Sequence, residues 1–167
     1  NYLFGVNETV REYVRLTQEL DARDTPVVLV LFGDHKPWMG NGGSVYEEMG
    51  IDFDTSTLAG FRNYYATPYL IWANRAAKEV LGADFTGDGG DFSPCFLMTR
   101  LFDACGWAGP GYMQLSRAMR DISPLLHTNG LFLHDGVLTS VLSDTDRSFY
   151  RSWLAVQYYR EHVAAYS

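Results

Sequence analysis

Asp34 and His35 follow directly on an apolar run, Val27–Phe32, with Gly33 between. A β-branched and leucine-rich run without alternation predicts a strand covered on both faces, as in a parallel sheet. In open α/β sheets, chemistry gathers just beyond the carboxyl ends of such strands. A carboxylate and an imidazole placed there offer one oxygen and one nitrogen donor, a set suited to Zn²⁺ or Mn²⁺, with Mg²⁺ or Ca²⁺ as alternatives. Two ligands do not complete a metal site, so the segment implies that part of the site lies outside this sequence. Lys36 and Trp38 come next. They are candidates for contacting an anionic or sugar substrate at the rim, against the ordinary reading of a solvated lysine and a packed tryptophan.

The elements that must position this pair can be read from pattern. Residues 9–23 have apolar positions at helical spacing, with Thr9 and Glu12 arranged as a capping box and Asn7 as an alternative cap. Asp24-Thr25-Pro26 ends that helix before the strand. Residues 36–60 read as loop with one short helix near Val45–Met49, capped by Ser44, and a second helical piece near Thr57–Tyr64. Residues 68–73 predict a second strand, with Pro68 at its first position. Arg75–Leu81 predicts a helix stopped by Gly82. Ser93 and Pro94 start a helix through Cys105 that Gly106 ends. Beyond it, Tyr112–Leu126 is helical, 131–134 is a short strand or link, and Asp146 caps a last helix carrying Phe149, Trp153 and Val156. The expected class is α/β, with residues 1–109 as one part and residues 110–167 as a mainly helical extension packed on it.

Composition narrows the function. A chain of 167 residues is long enough for one domain with a real core. A formal charge of −7 argues against a general nucleic-acid binder, which needs a basic face. It leaves room for an anionic substrate, because a bound metal reverses the local field. No stretch approaches the roughly 20 apolar residues that span a bilayer. The sequence begins at Asn1 and reads as a piece of a longer protein, any anchor or export signal lying upstream. Cys95 and Cys105 on one helix would lie about 15 Å apart, too far for a disulfide, and read as two buried free thiols.

Three segments, in order, resemble a known group. Phe32-Gly33-Asp34-His35-Lys36-Pro37 resembles the Gly-Asp-His segment of sulfatase-like enzymes of the alkaline phosphatase superfamily, most closely the lipoteichoic acid synthase and phosphoglycerol transferase branch. Residues 67–74 resemble the strand that follows in that branch, and Ser93–Leu97, ahead of Leu101 and Gly106, the helix after it. The resemblance covers roughly residues 5–107. It implies the C-terminal part of an alkaline-phosphatase-like sheet flanked by helices. It also implies a metal-dependent transferase or hydrolase acting on phosphate or sulfate esters. Asp34 and His35 match the family's C-terminal Asp-His metal ligands. No position matches its nucleophile, since Thr9 and Thr17 lie on the upstream helix, so the isolated chain is expected to be inactive. The resemblance further implies a glycerophosphate-type lipid headgroup as substrate. It places the parent enzyme at a bacterial cell membrane, with the catalytic domain outside and the anchor upstream.

Other residues carry weaker signals. Residues 39–44 lack the Gly-Lys-Ser/Thr ending of a P-loop. Asp84, Asp88 and Asp91 lack EF-hand spacing. His134-Asp135 repeats the residue pair but reads as a turn, and His127 lies in the unmatched region. A competing function is a non-catalytic interaction or oligomerisation module retaining a remnant of the fold, with Phe149, Tyr150, Trp153, Tyr158 and Tyr159 as an interface. A half-domain with an open core would also self-associate through exposed apolar patches.

Overall fold

The structure is a computed structural model that describes residues 2–163. Helix α1 (Tyr2–Asp21) leads to strand β1 (Val28–Phe32). Helices α2 (Ser44–Glu48) and α3 (Leu58–Tyr65) occupy the connection to β2 (Tyr69–Ala73). Then come α4 (Arg75–Leu81), α5 (Leu97–Ala104) and α6 (Gly111–Ile122). A hairpin of β3 (Phe132–His134) and β4 (Val137–Thr139) precedes the last helix, α7 (Asp144–His162). The class is mixed α and β, dominated by helix, with two small antiparallel sheets.

Strand β1 does not run parallel to its neighbour, nor is it covered on both faces. It pairs antiparallel with β2, from Val28 opposite Ala73 to Phe32 opposite Tyr69. Leu31 and Phe32 are exposed, and the first three residues are half-buried. An apolar run reports the burial a strand would tolerate and says nothing about the direction of its partner. Each strand of the pair keeps one edge without a strand neighbour among the described residues.

Several helix ends fall elsewhere than the sequence suggests. Helix α1 begins at Tyr2, so Thr9 is internal; its hydroxyl donates to the Gly5 carbonyl instead of capping. Ion pairs Arg11–Glu8, Arg15–Glu12 and Arg15–Glu19 lie along this helix, and only Leu20 is buried. Ser44 is the first residue of α2, and Gly43 holds the cap position in a left-handed conformation. Ser93 spends its hydroxyl on Leu126, whose carbonyl accepts from it and whose amide donates to it, and does not cap the 3₁₀ turn that follows. The cap of α7 is Ser143, whose hydroxyl accepts from the Asp146 amide and donates to the Asp146 carboxylate; Asp146 lies inside the helix. Gly82 closes α4 at φ 64°, as expected.

The core is Phe96, Met119 and Trp153, with Phe92, Leu115, Ile122, Leu126, Phe149 and Tyr150 packed against it. It draws on both sides of position 109. Trp153 donates its indole N–H to Ser116 Oγ at 3.0 Å, satisfying two buried polar groups together. Three of the tail aromatics read as an interface, Phe149, Tyr150 and Trp153, are therefore core residues; Tyr158 and Tyr159 are exposed. Asn74 joins the ends of α1, β1 and β2 to the start of α4 and is completely buried.

Candidate metal and ligand site

The sheet determines where Asp34 and His35 stand. The ladder continues one step past β1, where the Gly33 amide donates to the Pro68 carbonyl at 3.0 Å. Thr67 Oγ1 donates to the Gly33 carbonyl at 2.7 Å, closing the strand end. The chain then leaves the sheet, and Asp34 is the first residue free of it. Its side chain is 82% exposed and that of His35 79%.

The pair is oriented by its own backbone. Asp34 Oδ1 accepts the His35 amide at 2.8 Å, which turns Oδ2 toward the imidazole. His35 Nδ1 lies 3.0 Å from the Lys36 carbonyl. A carbonyl only accepts, so the neutral ring carries its proton on Nδ1 and leaves a lone pair on Nε2. That arrangement is the usual outer support of a metal-ligating histidine. Nε2 stands 3.6 Å from Asp34 Oδ2. Two ligands at about 2.0–2.2 Å from a tetrahedral ion lie roughly 3.4 Å apart, so the pair fits two corners of a cation's coordination shell. Among the described residues no group of three or more His, Cys, Asp or Glu side chains is arranged to hold a metal ion. The residues present would supply two ligands and no more.

Lys36 is not a free rim cation. Its amine donates to the Asn63 carbonyl and, at 3.4 Å, to the Arg62 carbonyl, at the C-terminal end of α3. A cation there complements the helix dipole, and burial lowers the lysine's pKa from its ordinary range. Trp38 is 70% exposed and lines the cavity beside the pair, so it is not the packed tryptophan of the ordinary reading.

Two cavities flank the pair and share Asp34 and Tyr65. One, of about 410 Å³, is walled by aromatic rings: Trp38, Tyr46, Phe53, Tyr64 and Tyr65. The Tyr64 ring meets Phe53 at 74° and 5.4 Å between centroids, and Trp38 at 83° and 6.5 Å. Buried Tyr46 forms the floor, its hydroxyl donating to the Pro37 carbonyl at 2.8 Å. The other cavity, of about 310 Å³, is reached by Arg62, Asp91 and His127. His127 packs against Tyr65 and Phe61 at 4.5 and 5.2 Å and accepts the Asn129 amide on Nδ1.

Apart from Trp38, these ring walls, and the place of His127 beside Tyr65, are not legible in the sequence pattern. Its one available signal was the spacing of Phe61, Tyr64 and Tyr65, which puts three rings on adjoining faces of α3. Asp135 and Gly136 form the β3–β4 turn at φ 49° and 78°, and His134 ends β3, with Nδ1 3.1 Å from the Ile122 carbonyl and Nε2 3.7 Å from Asp135 Oδ2. Cys95 and Cys105 are free, but only Cys105 is buried; Cys95 is exposed, contrary to the expectation. Among the described residues no helix is long and apolar enough to cross a membrane.

The chain matches no protein-family model, no curated protein and no solved structure.

Proposed function

We propose that this chain carries the Asp-His half of a divalent-metal site in an enzyme acting on phosphate or sulfate esters, of the sulfatase-like phosphoglycerol transferase type. The observation that carries the reading is the geometry of Asp34 and His35. They sit at the carboxyl end of a strand, with Nδ1 held at the Lys36 carbonyl and Nε2 3.6 Å from Oδ2. In this reading β1 and β2 belong to the C-terminal part of a larger alkaline-phosphatase-like sheet, and their unpaired edges are where it continues. Residues 1–109 form that part of the catalytic domain, and residues 110–167 are a helical extension packed on it. The substrate is a glycerophosphate-type headgroup, and the parent enzyme works at a bacterial membrane through segments outside this chain.

Asp34 and His35 would hold the metal, Mn²⁺ or Zn²⁺ by donor type. The metal, when bound, would polarise phosphoryl oxygens and lower the pKa of a nucleophilic hydroxyl. This chain's own part is binding and orientation. The Lys36 carbonyl fixes the imidazole, the His35 amide fixes the carboxylate, and the nucleophile comes from elsewhere.

The test is metal binding by the chain itself, followed by imidazole NMR signals during Zn²⁺ titration and by Mn²⁺ electron paramagnetic resonance. Weak binding that moves the His35 signals and vanishes in Asp34→Ala and His35→Ala is expected. Binding unchanged in both variants, or His35 signals that never move, refutes the assignment. In the N-terminally extended parent, Mn²⁺-dependent turnover of a glycerophosphodiester should be lost in the same variants.

A second reading, the interaction module, is favoured by one feature. An open, mainly apolar groove of about 610 Å³ runs between α1 and the sheet, lined by Val6, Val10, Leu31, Phe32 and Leu70 among others. Concentration-dependent self-association of a chain that binds no metal would support it.

A further inference from the structure

We propose that the aromatic cavity beside Asp34 binds an alkylated ammonium group, making the preferred ester one whose alcohol arm is choline-like. The cation site stands on the geometry alone; its role as part of an ester substrate rests on the function proposed above.

Five rings line one cavity: Trp38, Tyr46, Phe53, Tyr64 and Tyr65. Tyr64 stands nearly perpendicular to both Trp38 and Phe53, with Tyr46 as a buried floor. Rings meeting at such angles form the corners of a box. The face of each ring is negative, so a box of rings attracts a cation from several sides. Its volume, about 410 Å³, lies in the usual range of small-ligand pockets, roughly 300–1,000 Å³.

The polar groups of the lining decide which ligand fits. Tyr46 has given its hydroxyl proton to Pro37, and the Lys36 amine is turned onto the carbonyls of Arg62 and Asn63. His35 Nδ1 is held by the Lys36 carbonyl. The donors that remain in the lining, the Trp38 indole N–H and the hydroxyls of Tyr64 and Tyr65, are neutral, and the lysine amine that would hold an anion there is already spent. A trimethylammonium group needs no hydrogen bond. It needs negative faces and a nearby carboxylate, and Asp34 lines the same cavity. The phosphoester of phosphocholine or glycerophosphocholine would then lie toward Asp34 and His35, with its quaternary nitrogen among the rings.

The experiment titrates the full chain, freed of metal with EDTA, with tetramethylammonium, phosphocholine and 3,3-dimethylbutan-1-ol, the uncharged carbon analogue of choline. Calorimetry and tryptophan fluorescence are the readouts. Both quaternary ammonium ligands should bind and perturb the fluorescence, and Trp38→Ala should abolish the perturbation. The neutral analogue should bind about tenfold more weakly, the size of one good cation–π term. Tyr64→Leu keeps an apolar wall without a π face, and should weaken both quaternary ammonium ligands about tenfold while leaving the neutral analogue unchanged. Equal binding of the neutral analogue, or saturable binding of phosphocholine that survives Trp38→Ala and Tyr64→Leu, overturns the proposal. So does failure of tetramethylammonium to bind at all. Because no metal is present, these results are independent of whether Asp34 and His35 ligate one.

Discussion

Replacing Asn74 with alanine should cost far more than a surface polar residue does. The side chain is completely buried and uses all of its hydrogen-bonding capacity. Its Oδ1 accepts the Val27 amide and the Ala77 amide, each at 2.9 Å. Its Nδ2 donates to the carbonyls of Leu20 and Thr25 at 2.9 Å and shares a proton with Arg23 at 3.3 Å. One residue thus caps α4, ends α1 and starts β1. Loss of the helix cap costs about 0.5–2 kcal/mol. Each further buried group left without a partner costs about 1–3 kcal/mol, less where water reaches it. Leu20 and Val27 are the groups least able to recover a partner, so a total of about 3–5 kcal/mol is expected. Asn74→Ser retains a cap for Ala77 but is too short to reach the end of α1, and should fall between the parent and the alanine variant. Urea unfolding followed by circular dichroism and by tryptophan fluorescence measures both. Hydrogen exchange should show the Val27 and Ala77 amides losing protection first. If Asn74→Ala unfolds within about 1 kcal/mol of the parent, the network is not what joins these elements, and the reasoning fails.

Two further perturbations test the helical part. Asp103 receives Arg117 Nε at 2.6 Å and Arg120 Nη2 at 2.7 Å. Burial pushes its carboxyl up, but the hydrogen bonds and charges of Arg120 and Arg117 outweigh it and hold the pKa below the ordinary value. Its stabilisation is therefore complete above the unfolded pKa of about 3.9 and is lost as pH falls from there through the lower folded value. Asp103→Asn should cost about 1–3 kcal/mol at neutral pH, and its stability should fall less steeply below about pH 4, as measured by denaturant unfolding across pH. Trp153→Phe keeps a ring in the core but leaves Ser116 Oγ unpaired; a loss of about 1–3 kcal/mol is expected in the same assay, and a double variant with Ser116→Ala should recover part of it.

Legibility in the sequence followed locality. Both strands of the first sheet, and α4 with its glycine stop, were readable because their signals lie within a few residues: an apolar run, a terminal proline, an αL glycine. The pairing direction of β1 was not readable, because it depends on the path of residues 33–68, and a buried run of one strand is compatible with either direction. The start of α1 is not legible for a related reason. Thr9 with Glu12 has the spacing of a capping box, yet a threonine hydroxyl can equally return to the carbonyl four residues back, as it does to Gly5. Ser143 and Asp146 have the same spacing, and there the serine does cap, its own ψ of 158° standing outside the helix.

The site divides along the same line. Asp34 and His35 are adjacent in sequence, and the end of one strand suffices to expose both. The ring box brings together Trp38, Phe53 and Tyr64, and its shape depends on how the loop between them is held. The Tyr46 hydroxyl on Pro37, the Lys36 amine on the end of α3 and the Asn63 amide on the Asp52 carbonyl each tie two distant points of that loop. None of these bonds has a sequence signature, because a tyrosine or lysine in a loop is ordinarily solvated. Lys36 illustrates the consequence. Its residue type and its place beside Asp-His argued for an anion contact, and the fold spends it on closing a helix. The cavity is left with rings, neutral donors and a carboxylate, and without the lysine amine. The groups that hold the loop in place therefore also set which ligand chemistry the cavity favours, and a variant that frees Lys36 from α3 would shift that preference toward anions.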